Sequence, residues 1–286
     1  MAVYKQTYKP YEGARTPGWS RFLILGRSGY GRLMQSRFLV LYFMACFFYP
    51  ILCAVFIYAS HNLSILENLN IPAGRIFQIN NQFFEFYCGF QGGMACLLTS
   101  FIGPGLVAPD LANRALPLYF SRPFGRVEYV AGKMSLLLYF LSLITWIPGL
   151  FVFGVQAELA GWQWTRDNAW IAGSLLAGLI TWDLFLSLLA LALSASVKWS
   201  VAGGALILAV LFAGGGLAAA VNSIVRTSYG SLLDPRQAMS AIWSQMFRDE
   251  QAANISATQA WIALAAASAL CLWLLARRVK AFEVVK

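Results

Sequence analysis

The chain has 286 residues, of which 59% are hydrophobic and only 12% charged, with a net charge of +9. Its mean hydropathy is +0.63, and so few polar groups cannot clothe a water-soluble globule of this length, so the chain is read as an integral membrane protein. Cys46, Cys53, Cys88, Cys96 and Cys271 all fall inside apolar stretches, which argues against a disulfide framework or a metal cluster, and the one histidine, His61, disfavours bis-histidyl chemistry.

Residues 1–37 form a polar and aromatic segment with no cleavable leader pattern, so the first span is expected to be a retained helix. Within this segment Trp19, Phe22, Leu23, Gly26, Tyr30, Leu33 and Met34 recur at helical spacing, with Arg21, Ser28, Arg32 and Gln35 on the opposite side. That pattern predicts an amphipathic helix lying along the membrane face. Six apolar runs follow, near Phe38–Ala59, Phe83–Val107, Ser135–Val155, Trp170–Ser196, Ser200–Val221 and Ala257–Ala276. Each reaches the roughly 20 residues that a helix needs to cross a bilayer, and helices alone satisfy their own backbone groups in lipid. The expected fold is an all-α integral membrane protein with six transmembrane helices and an N-terminal amphipathic interfacial helix. Residues 1–37 are the leading segment, 38–276 the membrane domain and 277–286 a basic tail.

Sixteen of the Lys and Arg residues fall on the side of the termini and of the loop after the second span, against Arg75, Arg166, Arg226, Arg236 and Arg248 on the other. The positive-inside rule therefore places both termini and that loop in the cytoplasm of a multi-pass protein of the cell membrane, in all expectation a bacterial inner membrane. The basic charge is assigned to topology and attraction to anionic lipid, and no basic folded domain suggests nucleic-acid binding.

The loop from Asp110 to Lys133 pairs Arg114, Arg122, Arg126 and Lys133 with Leu116, Leu118, Tyr119, Phe120 and Phe124. It reads as too short to bury those apolar groups against itself, and an exposed apolar patch marks a binding surface. Pro117 and Pro123 are expected to stop a short helix on its far side and stiffen the return path. Gly89, Gly92 and Gly93 in the second span, and Ala205, Ala209 and Ala213 followed by Gly214, Gly215 and Gly216 in the fifth, mark close helix approaches. Gly103-Pro104-Gly105 should kink or end the second span.

Asp183 lies near the middle of the fourth span, where an ionised carboxylate costs about 2.5 to 3.5 kcal/mol, offset by nine leucines at about 0.3 to 0.6 kcal/mol each. It is a candidate for the translocation path or, alternatively, a protonated partner for a neighbouring helix. Glu85, at the outer start of the second span, is a second candidate, for an outer vestibule. The segment 222–256 carries Met239, Ile242, Trp243, Met246 and Phe247 at helical spacing and reads as an amphipathic outer helix.

The loop resembles the first cytoplasmic loop of permease subunits in the ABC-2 type exporter family. The likeness is carried by Asp110, by Ser121, Arg122 and Pro123, by Arg126, by Glu128 and Tyr129, and by Gly132 and Lys133 at the opening of the next helix. It extends more loosely to the six spans, the leading amphipathic helix, the long outer segment and Pro148 in the third span. The resemblance implies a loop whose coupling helix docks in a groove of a separate ABC ATP-binding subunit, with Leu116, Leu118, Tyr119 and Phe120 as apolar anchors. It implies a second permease chain, identical or related, and a re-entrant element near 222–256 in place of a surface helix. The chain itself lacks G-x-x-x-x-G-K-[ST]; Gly132-Lys133 is the nearest relic and is followed by Met134. No enzymatic activity and no cofactor are therefore expected of this chain, with ATP and Mg held by the partner subunit. The competing expectation is a structural anchor subunit of a larger membrane complex that moves no cargo.

Overall fold

The computed structural model describes residues 20, 29–31, 33–62, 79–121, 125–226, 228–249 and 255–279. Among these residues the secondary structure is helical throughout, and six helical segments are long and apolar enough to cross a membrane. Span 1 is α1 (Arg37–Ser60). Span 2 is α2 (Asn81–Ile102) continued by α3 (Pro104–Ala112). After the short α4 (Leu116–Phe120), span 3 joins α5 (Arg126–Ile144) to α6 (Trp146–Ala160), and span 4 is α7 (Trp162–Ser194). Span 5 joins α8 (Ser200–Leu208) to α9 (Gly214–Val225) through a wide turn at Ala209–Ala213, and span 6 is α11 (Ala257–Arg278). Between them lie a 3-10 turn (Tyr229–Leu233) and α10 (Pro235–Met246). All five cysteines are buried and unpaired. The expected leading helix falls mostly outside the described residues; within them, Tyr30 stacks on Phe140 and meets Tyr139 edge-on.

Span 4 is the axis of the bundle. Its apolar window is 72% buried, against 28% for span 1 and 22% each for spans 5 and 6, so the latter three supply most of the greasy outer surface. Two spans are broken by prolines, and each break is repaired from a neighbouring helix. At Gly103-Pro104, the Ser194 hydroxyl at the end of span 4 accepts from the Val107 and Ala108 N–H groups at 3.2 and 3.0 Å and donates to the Pro104 carbonyl at 3.0 Å. A helix start leaves such N–H groups without intrahelical partners, and Ser194 stands in for a local cap.

The chain between spans 5 and 6 does not lie on the surface as an outer helix. After α9 ends at Arg226, the 3-10 turn runs back down beside it: Gly230 packs on the Ala218 carbonyl, and Leu233 and Asp234 reach Gly214 and Gly215. Gly215 is ten residues from Val225, roughly 15 Å at the helical rise, which is about half of a hydrocarbon core. There Asp234 caps α10 by accepting from the Arg236 N–H at 2.9 Å, and α10 climbs back to the far end of span 2, where Asn81 Nδ2 donates to the Phe247 carbonyl at 2.6 Å. The segment is therefore a re-entrant hairpin, and Arg236, counted from the sequence among far-side surface charges, sits at membrane depth. The hairpin is held by one large side chain. Trp243 is pressed between Gly92 of span 2 and Gly178 of span 4, where an added Cβ would come within 2.6 and 2.8 Å of the indole.

Candidate functional site

The basic bend between spans 2 and 3 is built from its own motif residues. α3 ends in a Schellman closure, with Arg114 left-handed at φ 53°, the Arg114 N–H on the Leu111 carbonyl at 3.2 Å and the Ala115 N–H on the Asp110 carbonyl at 2.8 Å. Glycine usually takes that position; an arginine there hides the stop from sequence inspection. Pro117 then lies in the first turn of α4, so it starts the short helix, where the expectation had it stopping the far side. Below α4, Asp110 clamps span 2 to span 3: its Oδ2 lies 2.8 Å from Lys133 Nζ and accepts from the Tyr129 hydroxyl at 2.7 Å. Glu128 accepts from the Gly125 N–H at 2.6 Å and caps α5, and Gly132 is buried inside that helix.

The bend covers part of its own apolar surface, against the expectation that it could not. Leu116 is 4% exposed and buried in the core, and Tyr119 and Phe120 lean on the buried Tyr129 ring at 5.4 and 6.3 Å. What protrudes is a smaller tip. Leu118 is 73% exposed and Val127 81%, beside the exposed Arg114, Pro117, Ser121 and Arg126. Val127 escaped sequence inspection because it stands between the motif residues Arg126 and Glu128 without being one of them. Arg122 and Pro123 lie outside the described residues.

The two intramembrane carboxyls are separate. Asp183 is fully buried inside the bundle, where its Oδ2 meets the Thr145 hydroxyl at 2.7 Å and its Oδ1 has no partner among the described residues. Thr145 Oγ1 also reaches the Leu141 carbonyl at 2.8 Å. Thr145 thus shares its one hydroxyl proton between the Leu141 carbonyl and the Asp183 carboxyl. Asp183 therefore tethers span 4 to the break in span 3 and faces no open surface. Glu85 is half-buried on the far side, accepting from the Ser244 hydroxyl of α10 at 2.5 Å.

Gln91, which no sequence pattern singles out, is the centre of this polar interior. Pro50 in span 1 and Pro148 in span 3 have no N–H, which strips the Cys46 and Ile144 carbonyls four residues earlier of their helical donors. The Gln91 amide, 0% exposed, donates to both, at 3.1 Å to Cys46 and in a shorter contact to Ile144. Tyr87, one turn away, donates to the Thr145 carbonyl at 3.2 Å. Two proline-bearing spans are thus stitched by one face of span 2.

Together these features define a multi-pass helical membrane protein with an exposed apolar tip on its basic side, a proline-broken, cross-braced interior and a re-entrant hairpin on its far side. No family model matches the chain, and no curated protein matches it.

Proposed function

We propose that the chain is the membrane-spanning permease subunit of an ATP-driven exporter of the ABC-2 type. The observation that carries this reading is the tip of Leu118 and Val127, ringed by Arg114 and Arg126 and braced by the Asp110, Lys133 and Tyr129 clamp. Apolar anchors with flanking arginines suit a groove on a partner protein. The clamp suits them to a mechanical task, because a push on α4 reaches spans 2 and 3 as one body. The partner is an ABC ATP-binding subunit on the cytoplasmic side, holding ATP and Mg, and a second permease chain completes the transporter in the cell membrane.

Affinity capture tests this. The full chain should retain an ATP-binding subunit co-expressed with it, and Leu118→Asp should release that subunit while leaving the detergent-solubilised chain as heat-stable as wild type. Undiminished capture of the subunit by the Leu118→Asp chain would sink the proposal.

A further inference from the structure

α10 lies at membrane depth with a polar stripe on its outward face. Its inward face is apolar or small: Ala238, Met239, Ala241, Ile242 and Trp243 are buried. The opposite stripe carries Arg236, whose side chain is 38% exposed, with the exposed Gln237 and Ser240 above it. At comparable depth spans 1 and 6 turn Met44, Phe48, Leu270 and Leu272 outward, as lipid requires. Lipid tails cannot hydrogen-bond a guanidinium, an amide or a hydroxyl, and an arginine at the bilayer centre costs about 2.5 to 3.5 kcal/mol even on insertion scales.

The charge of this stripe has one sign available. Asp234 is buried to 1% and already engaged by the Arg236 N–H at 2.9 Å and the Gln237 amide at 3.3 Å. Arg236 is less satisfied. Its guanidinium pairs with Asp234 at 3.7 Å, longer than a hydrogen bond, and its Nε, which is buried, has no hydrogen-bond partner among the described residues. The guanidinium rests 4.6 Å from the Phe212 ring centroid, which holds it out along span 5, and it packs with Asp234 and Gln237 over Gly215, beside the open space at Gly216. A guanidinium offers five N–H donors in a fork that matches carboxylate and phosphate oxygens.

We propose that Arg236, with Gln237 and Ser240, forms a binding site for the anionic headgroup of an amphiphile, whose tail runs along the apolar face of span 5. That this amphiphile is cargo rests on the exporter function proposed above; the anion site itself does not.

The test uses the full chain in phosphatidylcholine nanodiscs and a diazirine-bearing dodecyl phosphate. Photolabel should map to residues 205–246, and unlabelled dodecyl phosphate should displace it, whereas dodecyltrimethylammonium and inorganic phosphate should not. Losing a charge-assisted fork should weaken labelling about ten- to a hundredfold in Arg236→Gln, with Arg236→Lys in between and Arg248→Gln unchanged. Ser240→Leu keeps the charge and the fold yet narrows the stripe, and should also reduce labelling. Equal labelling of wild type and Arg236→Gln would overturn the site, and so would displacement by the cationic amphiphile. Displacement by inorganic phosphate would overturn the amphiphile in favour of a free-ion site. Absent labelling, with Arg236→Gln abolishing self-association, would assign the arginine to a second copy instead. Labelling without capture of any ATP-binding subunit would leave the anion site standing and remove the exporter; capture without labelling would do the reverse.

Discussion

Pro148 has no N–H, so the Ile144 carbonyl needs a donor from elsewhere, and Gln91 supplies it while doing the same for the Cys46 carbonyl stripped by Pro50. Gln91→Leu should therefore destabilise the chain by about 1 to 3 kcal/mol per orphaned carbonyl, measured as a drop in thermal unfolding temperature in detergent. Restoring the backbone donors with Pro50→Ala and Pro148→Ala should recover much of that loss, and a pair of additive effects would show that the amide is not the link. Asp183 predicts the opposite pattern. With one hydroxyl partner it should tolerate Asp183→Asn with little change in stability, because an amide oxygen can accept the same bond, whereas Asp183→Ala, which opens a cavity in the bundle, should cost about 1 to 3 kcal/mol in the same assay. Neither residue's role could be found by scanning for charge. A buried glutamine looks ordinary in an apolar run until the proline four residues beyond its acceptor is placed beside it in space.

At the scale of elements, the bend and the hairpin divide differently between sequence and structure. In the bend the motif residues were legible, but their division of labour was not: Asp110, Glu128, Gly132 and Lys133 build the frame, and Leu118, Arg114 and Arg126 are left exposed. Leu116→Ala should thus loosen the bend itself, at about 2 to 4 kcal/mol for a buried leucine, and be read as early protease cleavage near residue 115. In the hairpin the helical spacing of Met239, Ile242 and Trp243 was plain, yet the same amphipathic pattern suits a surface helix. Gly92 and Gly178 decide the matter, since only a helix lowered between spans 2 and 4 can seat Trp243 against both backbones. Gly178→Ala should push that indole out at about 1 to 3 kcal/mol and shift its fluorescence, because a Cβ would meet it at 2.8 Å.

For the molecule as a whole, the charge count and the six spans predict a sidedness that can be checked directly. The five native cysteines are buried, so single cysteines placed at the exposed Arg114 and Arg226 should be the main targets of a membrane-impermeant maleimide. Residue 114 should label only from the cytoplasmic side and residue 226 only from the other; labelling of both from one side would refute the topology. The spans themselves were legible because lipid imposes length and apolarity on every crossing helix regardless of its neighbours, and each apolar run appears at its expected place with ends shifted by up to nine residues. The largest shifts are at the starts of spans 3 and 4, which begin at Arg126 and Trp162, ahead of the long apolar runs. The sequence by itself thus determined the solvent, the number of crossings and the basic side, since those depend on composition summed along the chain. Only the tertiary structure decided which polar groups face one another, that Asp183 is enclosed and that Arg236 is exposed at depth. Those outcomes depend on contacts between residues 19 to 166 positions apart, which no local pattern records.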